Sequence, residues 1–169
     1  HNERAARSDL AHVDTTARPT ADGWRIDGDK IAVLDATAAD RLIVSARLAT
    51  ADGGKPGPLG LFLVARGTAG VALDDFARLG GGRACNINLH DVRIAGDARL
   101  GDDADALSAI EAVIDRALAA LGAEAVGMMQ VLLDKTLEYT KIRKQFGRPL
   151  GANQVVRHRL ADMSIQCDE

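Results

Sequence analysis

From Trp24 to Val92 apolar and polar residues alternate in short runs broken by turn residues, and after Gly101 the period lengthens to that of a helix. Asp27-Gly28 lies between two alternating runs in "GWRIDGDKIAVL", the residue pair of a tight hairpin turn, which predicts strands at Gly23–Ile26 and Lys30–Leu34. "RLIVSARLA" (Arg41–Ala49) is the next strand. "LGLFLVAR" (Leu59–Arg66) follows a Gly/Pro loop, and Val71–Leu73 and Ile87–Val92 complete a set of six. Short strands at this spacing predict an antiparallel barrel or sandwich. Residues 103–143 contain no proline, begin in an Asp cluster suited to a helix amino terminus and are rich in Ala and Leu, which predicts one long helix. Its apolar positions, Leu118, Leu121, Ala125, Met128, Met129 and Leu132, cover more than one face, as in a helix buried among others. Gly122 and Gly127 inside it suggest a second backbone passing close by. Gln154–Asp168 reads as a second helix. The expected class is α+β: an antiparallel β domain over residues 1–100, then long antiparallel helices over residues 101–169.

Composition narrows the possible functions. Hydrophobic residues make up 47% and charged residues 27%, ordinary for a folded chain, and a formal charge of -3 offers no general attraction to nucleic acid. No apolar run approaches the roughly 18–20 residues of a membrane span and the amino terminus shows no apolar signal segment, so a cytoplasmic protein with no membrane span is expected. Cys85 and Cys167 match no metal-ligand or redox spacing and read as free thiols. The chain starts at His1 and ends within helical patterning, which suggests a fragment. His12, His90 and His158 lack metal-ligand spacing, Trp24 reads as a packing residue, and Gly80–Gly82 precede a strand rather than the helix a phosphate loop requires.

The candidate chemistry sits where the long helix ends. "EYTKIRKQFGRPLGANQVVRHRLADM" (Glu138–Met163) closes the helix in Arg143, Lys144 and Arg148, turns at Gly147 and Pro149 and restarts. Two readings fit. The cations complement the carboxy-terminal end of a helix dipole and stay solvated, or they hold an anion.

This stretch resembles the Arg-x-x-Phe-Gly…Gln…Leu-Ala-Asp-Met signature of the flavin-dependent acyl-CoA dehydrogenases. "ERAARSDL" (Glu3–Leu10) has the spacing of that family's Thr-Glu-Pro-Gly-Ala-Gly-Ser-Asp loop, and "GWRIDGDKIAV" and "RLGGGRACNINLHDVRI" occupy the places of its β-domain hairpin and closing strands. The resemblance implies a middle β domain followed by the start of a four-helix bundle, FAD as cofactor and α,β-dehydrogenation of an acyl-CoA thioester. It also implies a homo- or hetero-oligomer and an electron-transfer acceptor protein as partner. By the same resemblance Arg143, Gln145 and Phe146 contact the FAD of a neighbouring subunit, with Gln154 beside the same dinucleotide. Ser8 falls near the flavin diphosphate and the substrate's pantetheine, and Asn2 at the flavin edge. Ser8 also reads as a turn cap.

The chain departs from the family pattern in three places. "RAAR" (Arg4–Arg7) replaces Pro-Gly-Ala-Gly, and Ala32 and Leu34 stand where the family has a flavin-stacking aromatic and a flavin-bonding Thr. These departures allow a second expectation, a non-catalytic subunit that completes a neighbour's FAD site. No catalytic base is assigned: Ala117 occupies the helix position used by a minority of the family, and Glu111 and Asp115 read as solvated.

Overall fold

The computed structural model describes residues 1–50, 57–101 and 106–169, and these form two compact units, residues 1–112 and 113–169. The Asp cluster at 102–105 and part of the Gly/Pro loop before Leu59 lie outside the described residues.

The first unit is one folded, sandwich-like sheet. Its strands are β1 (Thr16–Thr20), β2 (Gly23–Leu34), β3 (Arg41–Leu48), β4 (Leu59–Ala65), β5 (Val71–Ala77), β6 (Arg83–Ala95) and β7 (Arg99–Leu100), in the order β5-β6-β2-β1-β3-β4-β7. Every pairing is antiparallel except β1 with β3, which makes the sheet mixed rather than antiparallel throughout. Alternation along the strands places Ile26, Leu42, Val44, Phe62, Val64, Ile87 and Leu89 in a common core. Trp24 packs edge-on against Phe62 with ring centroids 5.3 Å apart, as expected of a packing residue.

β1 was not expected, because Pro19 interrupts its apolar pattern. The proline is tolerated because β3 pairs only with Thr16 and Ala17, which leaves no ladder bond on that side for Pro19 to donate.

The hairpin expected at Asp27-Gly28 is also absent. β2 runs unbroken through it, and the chain reverses before β2 begins, with Thr20 paired to Gly23 across Ala21-Asp22. Gly28 instead sits at a register shift against β6, at φ +149, where an added Cβ would lie 2.6 Å from Thr15 Oγ1. A second shift falls between Lys30 and Val33, with Ala32 at φ 52 and its N–H donating to Asn86 Oδ1 at 3.3 Å.

The second unit contains most of α1 (Leu107–Ile142), a two-residue ribbon of β8 (Lys144–Gln145) and β9 (Arg148–Pro149), and α2 (Gln154–Asp168). α2 returns along α1, and Met129 and Leu132 share a cleft of about 100 Å³ with Met163, Gln166 and Cys167. Among the described residues of the second unit only Leu133 and Thr140 are buried; Leu118, Leu121, Met128 and Leu132 are exposed, because two helices cannot cover a helix apolar on several faces. Among the described residues nothing comes within 4 Å of a Cβ built on Gly122 or Gly127, so the backbone neighbour expected there is not found among them.

α1 is also long and apolar enough, by length and composition alone, to cross a membrane, its most apolar 18-residue window having a mean hydropathy of 1.4. Between Ala117 and Leu133 only Glu124 is charged, and it and Gln130 break the stretch into shorter apolar runs.

Two glycine substitutions separate these environments. Gly28→Ala is expected to destabilise the protein by about 3 kcal/mol through overpacking against Thr15, while Gly122→Ala stabilises it by about 0.5–1 kcal/mol through helix propensity. Urea denaturation of each variant measures both.

Candidate functional site

Residues 1–15 form no strand or helix, yet they are firmly anchored. Asn2 O accepts from Ile31 N at 2.9 Å, and Ala6 O from Asp9 N at 2.8 Å. Glu3 and Ala6 point inward and are buried, while Asn2, Arg4, Ala5, Arg7 and Ser8 face outward. Arg7 has φ 51, a left-handed conformation that glycine adopts more readily than arginine. Ser8 does not cap the turn: Asp9 Oδ1 does, accepting from Ala11 N at 2.9 Å.

Under this segment lies a polar cluster that sequence reasoning missed. Lys30 Nζ donates to Glu3 Oε1 at 2.5 Å and to Ser45 Oγ at 3.1 Å, with side chains 2% and 5% exposed for the lysine and the glutamate. Glu3 also accepts from Thr15 Oγ1 at 2.6 Å, Thr15 N at 3.1 Å and Asp14 N at 2.5 Å. The His1 ring bridges Ser45 Oγ and Leu10 O. Burial alone would raise the Glu3 pKa, but the hydrogen bonds from Lys30, Thr15 and Asp14 together hold it below the usual carboxylate range. Burial pushes Lys30 down, with Glu3 opposing. The signal for Lys30 was its parity: in β2 it alternates to the same inward side as Ile26, where a lone lysine requires a partner.

Beside this segment a groove of about 430 Å³ is lined by Arg4, Asp29, Ile31, Asp74, Asn86 and Asn88, among others. Asn88 donates to Asp29 at 2.7 Å and Asn86 to Asp74 at 3.3 Å. Ala32 and Leu34 are both exposed, and no aromatic side chain stands at either position.

The other candidate residues gather at one corner of the second unit. α1 stops at Ile142, and Leu150 N donates back to Arg143 O at 2.9 Å. Gln145 pairs with Arg148, and the loop between them is Phe146-Gly147, with φ 52 and 78. Two successive positive φ values are the mark of a type I′ turn, which matches the twist of a two-stranded ribbon. Phe146 is thereby held out with 99% of its surface exposed.

The cations at this corner differ in how they are engaged. Arg148 donates to Asn153 Oδ1 at 2.6 Å and Arg157 to Gly151 O at 2.8 Å, whereas the Arg143 guanidinium has no hydrogen-bond or ion-pair partner among the described residues. Gln154, at the start of α2, is exposed beside the same corner. Glu111, Asp115 and Ala117 are exposed on α1.

Residues 2–92 match the model of the acyl-CoA dehydrogenase middle domain, and residues 107–169 that of the acyl-CoA dehydrogenase C-terminal domain. The chain belongs to the acyl-CoA dehydrogenase family. It is 32% identical over 172 residues to an L-prolyl-[peptidyl-carrier protein] dehydrogenase of Pseudomonas fluorescens, covering 98% of this chain and 44% of that protein. It is 30% identical over 161 residues to the human mitochondrial short-chain specific acyl-CoA dehydrogenase, covering 94% of this chain and 39% of that one. Among solved structures it superposes on PigA with FAD and proline at a TM-score of 0.90 and 28% identity, over 99% of this chain and 44% of that one. The chain thus spans less than half the length of the relatives it matches.

Removing one partner of the buried pair tests how it contributes. Lys30→Met is expected to cost about 3–5 kcal/mol by leaving a buried carboxylate uncompensated, read as a fall in the urea midpoint. A depressed carboxylate contributes stability that is present above its unfolded pKa and lost as pH falls through its folded value. Stability is therefore expected to drop on acidification from about pH 5 downward, and less steeply in Glu3→Gln.

Proposed function

We propose that this chain is part of a flavin-dependent dehydrogenase acting on acyl thioesters, and that it contributes FAD contacts from both of its units. The observation that carries the reading is the Arg143 guanidinium, unengaged by the described residues and set beside the outward-held Phe146 at a turn that leaves both accessible. A planar, always-charged donor fork suits a diphosphate, which accepts two parallel hydrogen bonds from it. Gln145 and Gln154 add neutral donors at the same corner, and the Phe146 ring supplies apolar surface. Arg143, Gln145, Phe146 and Gln154 would meet the FAD of a second subunit, and Asn2 and Ser8 that of their own. Bound FAD would supply the hydride-accepting chemistry of α,β-dehydrogenation. The exposed apolar faces of α1 would be covered by further helices or by that second subunit.

The names of the relatives support two thioester carriers, CoA and a peptidyl-carrier protein. An electron-transfer protein completes the set of partners. A second reading, a non-catalytic subunit lending its corner to another chain's FAD, is favoured by Ala32 and Leu34, which present neither a stacking ring nor a hydroxyl.

The visible flavin absorption of the purified protein separates the two readings, since one FAD per chain supports the enzyme and none supports the lending subunit. Arg143→Glu is expected to weaken FAD binding by about 2 kcal/mol or more by setting a carboxylate against a diphosphate. Unchanged flavin occupancy in that variant would remove the assignment.

A further inference from the structure

Glu3 and Lys30 form an enclosed ion pair, both side chains almost wholly shielded from solvent. A buried pair of this kind is on average no more stabilising than apolar side chains of the same volume, because desolvation offsets the attraction. Apolar contacts, however, are non-directional, whereas a carboxylate with four donors admits one placement. Glu3 is that placed group. Its Oε1 takes Lys30 Nζ, Thr15 N and Thr15 Oγ1, and its Oε2 takes Asp14 N. Lys30 in turn donates to Ser45 of β3 and, at 3.4 Å, to His1 O. One buried charge pair therefore joins the irregular segment to β2, to β3 and to the residues leading into β1.

The fastening is aimed at the segment's outward side chains. Asn2 immediately precedes Glu3 and is itself fixed to Ile31 N, and Arg4 follows it at the rim of the groove over β2, β5 and β6. The segment has no ladder of its own hydrogen bonds to hold Asn2 and Ser8 in place. The register of Gly28 allows Thr15 close enough to complete the carboxylate's shell, since any side chain there would strike Thr15.

We propose that Glu3 and Lys30 are positioning residues for the cofactor: resting on the reading of Asn2 and Ser8 as flavin-facing, the pair sets the conformation of residues 2–8 in which those side chains receive FAD. Without it, the sheet persists but the segment loses its single placement, and FAD binds more weakly.

The test uses the protein as purified with its flavin, then stripped of it and titrated with FAD by fluorescence, with thermal unfolding of the stripped form recorded in parallel. Glu3→Leu combined with Lys30→Met removes both charges and leaves neither uncompensated. It is expected to keep the thermal midpoint of the stripped form while weakening FAD binding about tenfold or more, the scale of loss seen when groups that orient a ligand's contacts are removed. Lys30→Arg, which keeps the charge, is expected to retain most of the affinity. Thr15→Val, which removes one donor to Glu3, gives a smaller loss and decides the matter if the double variant fails to fold. Unaltered FAD affinity in the folded double variant, or in Thr15→Val where the double variant is unfolded, overturns the proposal. Failure of the unsubstituted protein to bind FAD overturns instead the functional reading on which it rests.

Discussion

A carboxylate and an ammonium enclosed beneath residues 1–15 organise the first unit. Glu3 and Lys30 are 27 positions apart; β2 carries Lys30 inward to meet Glu3, and Gly28 lets Thr15 approach beside them from the start of β1. Once the pair is formed, Asp14 and Thr15 donate to the same carboxylate, which draws the irregular first residues against three strands. Burial opposes charge on both partners, so the arrangement holds only with its full set of donors and acceptors. The outward side chains of Asn2 and Ser8 thus sit on a segment whose anchoring carboxylate is turned inward.

The second unit solves a similar problem with backbone rather than charge. Phe146 accepts a left-handed conformation that costs a non-glycine residue free energy, and in return the two-residue turn reverses the chain within four residues of the end of α1. Gly151 then passes 3.3 Å from Thr140 O, measured from a Cβ it does not have, so that the returning chain lies close against the helix it has just left. Arg148 and Arg157 tie down this corner, while the Arg143 guanidinium has no such partner among the described residues.

How much of this was legible depended on the range of the interaction involved. α2 could be read to its observed bounds, Gln154 to Asp168, because helix periodicity and the turn before it are local. The turn after Arg143 was legible for the same reason, as closely spaced cations interrupted by Gly147 and followed by Pro149. The hairpin was misplaced because the chain has two Asp-Gly pairs five residues apart, Asp22-Gly23 and Asp27-Gly28, and local pattern cannot tell a reversing turn from a bulge in a strand paired on both sides. β1 was lost behind Pro19, whose tolerance depends on how far β3 extends. The Lys30 cluster was hidden because its partner lies outside any strand, and an isolated lysine in a strand ordinarily reads as solvent-facing. Arg7 shows the converse: glycine is absent from the loop, yet the φ it would have favoured is still adopted.

The two register shifts in β2 also bear on how the strand finds its place during folding. Slipping β2 by one residue against its neighbours would turn Lys30 to the outside and send Asp29 or Ile31 inward in its stead, leaving Glu3 enclosed with no cation. A misaligned sheet is thereby penalised electrostatically as well as by lost packing. The same pair that anchors the first residues acts as a proofreading mark for strand alignment.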